Sequence, residues 1–345
     1  MQNSLSRFPN NTRAAVVLLC TVLSPFICSA TQDIKPPPTT KERGIELYRQ
    51  QKTQEAIATL RTVVAADKED QEAWYYLGLS LIRDKDFKGA SKSLETAIKI
   101  SPQFANAHSA LAYALLQRNK TSEAAREAQI AIDLDGTIAD AYYILGVTRL
   151  RAGATSEATE NADKAIKLRP EFASSYLLKA QSLVGDAEDL VEPWGAEKRA
   201  RRKERYSKAV EALEKYLQLS PKAPNKEFLG QQLEALKAYV REPAKGTDDE
   251  VFTSRNVTTR ARVLSKPEPA YTSVARQNGV RGTVILRAVF AADGTVKYLI
   301  VVRGLPDGLT EVCIEAAKRI KFVPATVDGR PVAMWMQLEY NFMIG

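Results

Sequence analysis

The feature that most constrains this 345-residue chain is a repeat with a period of thirty-four residues. One column of the repeat holds only glycine or alanine, a second holds large side chains, and a third holds alanine. The first column is Gly44, Gly78, Ala112, Gly146 and Ala180, the second is Trp74, His108, Tyr142 and Tyr176, and the third is Ala56, Ala90, Ala124 and Ala158. A unit of this length is too small to bury its apolar face alone, so successive units are expected to stack into a solenoid.

The period and its columns resemble the tetratricopeptide repeat. Residues 37–241 are therefore predicted to form an all-α solenoid of about five repeats, with an insertion at 186–205 and a last helix that caps the stack. The resemblance implies that a partner binds along the concave face lined by the first helix of each repeat. Counting from the glycine column places five candidate residues on or beside this face: Tyr75, Tyr113, Tyr143, Arg83 and Arg151. Two interpretations stay open, a groove for an unidentified peptide with apolar and acidic side chains, or aromatic residues that pack helix against helix.

The composition changes after Val240. Residues 242–264 are polar, contain proline and glycine, and lack a period, which predicts a linker. A short helix, two strands joined by the Asp-Gly turn at 293–294, a second helix and a long final strand follow. This order predicts a small α+β domain with a three-stranded sheet over residues 265–345. The final strand is apolar at every second position, and Trp335 is the one large residue on its other face.

Residues 265–342 resemble the TonB C-terminal domain. The resemblance rests on the order and spacing of Pro269, Tyr271, Gly282, Asp293-Gly294, Phe322, Pro324-Ala325, Gly329 and the closing Tyr340-x-Phe342. It implies that the last strand lies at a sheet edge and captures a segment of an outer-membrane TonB-dependent transporter as an added strand. Partner contacts are predicted at Met334, Trp335, Gln337 and Glu339, with Trp335 as the side-chain anchor. The alternative is a final strand that only completes the sheet.

The first thirty residues resemble a targeting segment. Arg7 and Arg13 precede an apolar run that closes on Cys28, Ser29 and Ala30, which predicts a signal peptide and a periplasmic protein. The alternative is an uncleaved inner-membrane anchor, although the run is short and contains Pro25. Cleavage would leave Cys313 as the single cysteine, so no intrachain disulfide is expected.

Two functions follow from these segments. One is a TonB-like energy transducer that links inner-membrane motor proteins to outer-membrane transport, and the other is a soluble periplasmic scaffold with no energy-coupling role. The apolar run lacks the histidine found in the anchor helix of TonB, which favours the scaffold. No metal-ligand cluster, nucleophile motif or phosphate loop is present in the sequence, so neither a cofactor nor an enzymatic activity is predicted.

Two further features are interpreted as structural. His108 shares a column with Trp74 and Tyr142, which indicates packing and not catalysis. The net charge is +8, and a run of six basic residues lies between Lys198 and Arg205. We interpret this run as one face of a solvated helix, and no nucleic-acid partner is predicted.

Overall fold

The structure is a computed structural model that describes residues 39–188, 196–241 and 250–343. The first two ranges contain eleven helices. These are α1 (Thr40–Arg49), α2 (Thr53–Ala66), α3 (Gln71–Arg83), α4 (Phe87–Ile100), α5 (Ala105–Gln117), α6 (Thr121–Leu134), α7 (Ala139–Arg151), α8 (Thr155–Leu168), α9 (Ala173–Glu188), α10 (Ala196–Leu219) and α11 (Lys226–Arg241).

Consecutive helices pack as pairs, and the first helix of each pair also contacts the first helix of the next. The small-residue column lies where two helices meet. A Cβ atom added to Gly78 would lie 2.6 Å from Cγ of Leu94, and one added to Gly44 would lie 2.8 Å from Cγ of Leu60. The predicted all-α solenoid is therefore confirmed, and so is the physical reason for its period.

The predicted insertion at 186–205 falls inside the fifth helix pair. Helix α9 continues to Glu188, and α10 begins at Ala196 and runs for 24 residues. Much of the inserted sequence therefore extends these two helices. Helix α11 follows and packs against α10, at the position where the sequence predicted a capping helix.

The last range holds the C-terminal domain, a small α+β unit. Its elements are β1 (Val251–Phe252), β2 (Arg262–Ser265), α12 (Ser273–Gln277), β3 (Gly282–Phe290), β4 (Val296–Arg303), α13 (Leu309–Lys318), β5 (Lys321–Val323), β6 (Ala325–Val327) and β7 (Arg330–Phe342). The main sheet has the order β1-β7-β3-β4, with β6 also paired to β7. The predicted three-stranded sheet corresponds to β3, β4 and β7, and the short strands β1 and β6 extend it.

Strand β7 is antiparallel to β3 without a break in register, from Met334 opposite Phe290 to Phe342 opposite Gly282. Its even-numbered side chains face the domain core. Leu338 and Tyr340 are buried there with Leu286 of β3 and with Leu309 and Cys313 of α13. The alternation in the sequence therefore identified the buried face of β7 correctly.

Part of the predicted linker is structured. Strand β1 pairs in parallel with β7 at Ala333 and Met334, and β2 forms a two-stranded ribbon with β5. No periodicity predicts these strands, because β1 has only two residues and all four positions of β2 are exposed. Residues 242–249 lie outside the described ranges, as does the segment predicted as a signal peptide or anchor.

The helical solenoid and the C-terminal domain, which we call the two modules, are packed together. Ile300 of β4 has an exposed fraction of 1%, and it is buried in one apolar cluster with Leu183 of α9 and with Leu236 and Tyr239 of α11. Trp335 of β7 packs against the same cluster. The end of the solenoid therefore covers part of the sheet, on the face opposite the domain core.

Candidate partner-binding sites

The first candidate site is the face lined by the first helices α1, α3, α5, α7 and α9, which we call the groove. The three predicted tyrosines are partly buried, and each contacts another aromatic ring. The ring centroids of Tyr75 and Phe104 are 4.8 Å apart, and those of Tyr143 and Phe172 are 5.0 Å apart. Tyr113 lies against Phe87 at 6.4 Å. These rings pack helices together and also keep some surface exposed in the groove, so their role in partner binding stays a prediction.

Burial changes the chemistry of these phenols. It raises the pKa of Tyr75 to about 12, and the neighbouring phenols of Tyr48 and Tyr76 add to the shift. Burial also raises the pKa of Tyr113 and of Tyr143. All three hydroxyl groups therefore stay protonated, and able to donate hydrogen bonds, up to a higher pH than an ordinary phenol.

The two predicted arginines of the groove have structural contacts. Arg83 donates to the carbonyl oxygen of Tyr48, and its guanidinium lies 4.0 Å from the centroid of that ring. Arg151 reaches the carbonyl oxygen of Leu116 at 3.5 Å. Each arginine thus contacts a carbonyl at the end of an earlier first helix, where the helix dipole favours a positive charge. Sequence reasoning missed this role.

The second candidate site is β7, and two of its four predicted side chains are less exposed than expected. Met334 has an exposed fraction of 2% and belongs to the core. Trp335 is partly buried, and its ring centroid lies 4.1 Å from that of Tyr239 in α11. Trp335 is therefore not a free side chain, because the solenoid packs against it, and its contact with a partner stays a prediction. Gln337 and Glu339 are exposed and share a hydrogen bond of 2.8 Å.

The backbone of β7 has one edge that faces away from β3. Lys266 donates from Nζ to the carbonyl oxygen of Glu339 at 2.6 Å, and this contact indicates that the carbonyl points away from the sheet. In an antiparallel ladder the N–H and C=O of one residue point to the same side, and successive residues alternate. Gln337, Glu339 and Asn341 therefore present their backbone groups outward, whereas Leu338 and Tyr340 present theirs to β3.

The opposite edge of the sheet is closed by the solenoid. Gln232 of α11 donates from Nε2 to the carbonyl oxygen of Leu299 at 3.0 Å. Its Oε1 accepts the N–H of Val301 at 2.9 Å. One side-chain amide thus satisfies the outward donor and acceptor of β4 as a neighbouring strand would. The signal in the sequence was a glutamine between Leu229 and Leu233 on the apolar stripe of a helix.

Three residues that attract attention in the sequence have structural roles. His108 has an exposed fraction of 5%, with Nδ1 2.8 Å from Oε2 of Glu127 and Nε2 3.0 Å from the carbonyl oxygen of Pro102. Cys313 is buried in the core, and burial raises the pKa of its thiol to about 12. Arg202 of the basic run is also buried, with its guanidinium over the ring of Tyr206, so this part of the run is not solvated as predicted.

The described ranges lack two kinds of feature. No helix there is both long and apolar enough to cross a membrane. The same residues include no group of three or more His, Cys, Asp or Glu side chains placed to hold a metal ion.

The fold defines a helical-repeat binding protein with a small α+β domain at its C-terminal end. Residues 41–105 and 109–173 match the tetratricopeptide repeat family, and residues 267–344 match the family described as Gram-negative bacterial TonB protein C-terminal. The chain therefore combines a tetratricopeptide repeat array with a TonB C-terminal domain, which confirms both resemblances. Both families are protein-interaction and transduction modules and not enzymes.

Individual relatives are similar to parts of the chain. Protein TonB from Vibrio cholerae serotype O1 is 28% identical over 99 residues, which make up 26% of this chain and 41% of that protein. The chain thus spans about two fifths of that relative. The crystal structure of MamA is 24% identical, with a TM-score of 0.42, and the match covers 51% of this chain and 96% of that one. YrrB, described as a TPR protein with an unusual peptide-binding site, is 17% identical, with a TM-score of 0.40 and coverage of 55% and 90%.

Proposed function

We propose that this protein works in the cell envelope, where β7 binds a periplasmic segment of an outer-membrane TonB-dependent transporter by strand addition and the groove binds a second protein. The observation that carries the proposal is the difference between the edge of β4 and the edge of β7 beyond Met334, where the pairing with β1 ends. The edge of β4 is occupied by Gln232, while the backbone groups of Gln337, Glu339 and Asn341 face outward. An extended segment that pairs with these groups would continue the sheet.

Lys266 covers part of this edge. Its ammonium group donates a hydrogen bond to the carbonyl oxygen of Glu339 and lies 4.4 Å from the centroid of the Tyr340 ring. An incoming strand must displace it before the ladder can form. Lysine at an exposed edge also discourages unselective pairing between chains.

The backbone contacts alone support only a weak complex. A short added strand makes four or five hydrogen bonds, each worth about 1 kcal/mol net. Once the cost of ordering the segment is subtracted, the dissociation constant is expected between about 1 μM and 1 mM. Because Trp335 is engaged by Tyr239, further affinity has to come from exposed side chains such as Gln337 and Glu339.

The test of strand addition is a titration of the full chain with a fluorescein-labelled peptide from the periplasmic end of an outer-membrane transporter, followed by anisotropy. The matched control is the same peptide with every second amide N-methylated, prepared in both registers. We expect one of the two methylated peptides to bind at least tenfold more weakly, because it cannot donate to β7. If both bind as well as the unmodified peptide, strand addition is the wrong mechanism.

The proposed function has two versions, a transducer that couples energy to transport and a scaffold that does not. A transducer must stay attached to the inner membrane and contact its motor proteins, whereas a scaffold needs no anchor. We propose export with cleavage after Ala30, which favours the scaffold. Intact mass measured after cell fractionation decides between them. A chain that starts at Thr31 in the periplasmic fraction supports the scaffold, and a mass that includes residues 1–30 in the inner-membrane fraction supports the transducer.

A further inference from the structure

The two-stranded ribbon formed by β2 and β5 exposes an unusual share of apolar side chains. The two strands hold four and three residues. Among the residues that the structure describes, eight large apolar side chains are exposed, and three of these lie on the ribbon. They are Val263, Leu264 and Val323, with exposed fractions of 38%, 57% and 42%. Exposed apolar side chains that cluster in this way mark interaction sites, whereas single ones need no explanation.

The register of the ribbon shows which side chains share its outer face. Phe322 of β5 is buried in the domain core. Its neighbours Lys321 and Val323 therefore point away from the core, since side chains alternate along a strand. Arg262 lies opposite Val323, which places its side chain on the same outer face. The exposed Leu264 lies at the shift in register of β2, so basic and apolar side chains lie next to each other on this ribbon.

The charge of this surface has a single sign. Residues 258–267 and 316–327, which contain the ribbon and its flanks, hold six basic residues and no aspartate or glutamate. The six are Arg260, Arg262, Lys266, Lys318, Arg319 and Lys321. Within the described ranges, neither Arg262 nor Lys321 has a carboxylate oxygen within 4.0 Å, whereas Lys318 is paired with Glu315 at 2.8 Å. The outer face therefore combines exposed apolar side chains with positive charges that no ion pair neutralises.

We propose that the outer face of the β2–β5 ribbon binds the anionic surface of a phospholipid bilayer. Arg262 and Lys321 lie at the level of the lipid phosphates in this complex, while Leu264 and Val323 enter the boundary with the acyl chains. A protein surface of one positive sign matches a lipid surface of one negative sign, whereas a docking site for a single protein uses a pattern of charges that fixes the register of its partner. The observations therefore favour lipid over an acidic protein. This inference does not depend on strand addition at β7.

The experiment measures binding of the full chain to vesicles of phosphatidylcholine alone and to vesicles in which one third of the lipid is phosphatidylglycerol. Cosedimentation gives the partition coefficient, and hydrogen exchange followed by mass spectrometry reports the protection of residues 261–266. We expect this segment to be protected by the phosphatidylglycerol vesicles only. Exchange at these residues reports on the ribbon itself and not on the apolar run near the N-terminus. Raising the salt concentration should reduce the protection, since exposed charges are screened.

Two double variants separate the charges from the apolar contacts. Arg262→Gln with Lys321→Gln should lower the partition coefficient for phosphatidylglycerol vesicles about tenfold, because each basic residue near an anionic surface contributes to binding. Leu264→Gln with Val323→Gln should also lower it about tenfold, because two side chains no longer enter the lipid boundary. Both variants should lose the protection of residues 261–266.

The matched controls make the same exchanges at exposed positions of the solenoid. They are Arg61→Gln with Lys92→Gln for the charges, and Leu134→Gln with Leu168→Gln for the apolar side chains. Both controls should bind like the parent, and circular dichroism should show that all four double variants are folded.

The proposal is overturned if phosphatidylglycerol vesicles leave residues 261–266 unprotected, if the ribbon variants partition like the parent, or if the controls lose as much binding as the ribbon variants. A soluble peptide of glutamate and leucine tests the other kind of partner. If this peptide protects the segment and the vesicles do not, the ribbon docks an acidic protein and the lipid proposal is wrong.

Discussion

A Gln337→Pro variant is expected to fold and to lose peptide binding at β7, whereas Leu338→Pro is expected to unfold the C-terminal domain, although the two positions are adjacent. The reason is the alternation of the backbone. The contact from Lys266 to the carbonyl of Glu339 indicates that odd-numbered residues face outward, so the N–H of Leu338 points at β3. Proline removes that N–H and places its ring against the neighbouring strand, and the partner carbonyl of β3 that is left without a donor costs about 1–3 kcal/mol on its own.

The buried position of Leu338 adds to the difference. Its side chain has an exposed fraction of 4% and lies opposite Leu286, while that of Gln337 is exposed. Gln337→Ala and Leu338→Ala are the matched controls. The latter should cost about 2–5 kcal/mol through the lost core contacts alone, so only the excess in Leu338→Pro reports the backbone.

Circular dichroism and peptide anisotropy on all four variants give the answer. A folded Gln337→Pro variant that binds the transporter peptide like the parent would show that β7 only completes the sheet. Unfolding of Gln337→Pro together with folding of Leu338→Pro would show that the outward and inward residues have been assigned the wrong way round.

The fold was predictable where one physical requirement recurs along the chain. Gly44 and Gly78 are small because a leucine of the second helix fills the space beside each of them, and a period of thirty-four residues records that requirement in every repeat. The alternation in β7 likewise records one buried face. Strands β1 and β2 were missed because a strand of two partly buried residues and a strand of four exposed residues show no such alternation.

The sites were less predictable because they depend on contacts between distant parts of the chain. The sequence correctly placed Trp335 opposite the core face, but it could not show that this face is covered by Tyr239, almost one hundred residues earlier. The repeat column that contains Arg83 also does not indicate that its guanidinium donates to the carbonyl oxygen of Tyr48. Periodicity reports which face of an element is buried, and it does not report which other element buries it.

The second large effect is expected from Trp335→Ala, which should separate the unfolding of the C-terminal domain from that of the solenoid. The indole ring stacks on Tyr239, and the guanidinium of Arg287 lies 5.3 Å from its centroid. Truncating a buried tryptophan costs about 3–5 kcal/mol, and the partly buried Trp335 should cost about half of that. Because this free energy is lost at the contact between the modules, the sheet should unfold at a lower temperature than the helices.

Differential scanning calorimetry on the full chain is the measurement. The parent should show one transition, because Ile300 and the amide of Gln232 tie β4 to the last helices as well. Trp335→Ala should show two transitions, and Tyr239→Ala should reproduce them from the other side of the contact. Gln337→Ala, two residues along the same face and exposed, should change stability by less than about 0.5 kcal/mol and keep one transition. Two transitions in the parent would instead support the flexible linker that the polar sequence between the modules predicts. A single unchanged transition in Trp335→Ala would show that the stacked rings do not hold the modules together.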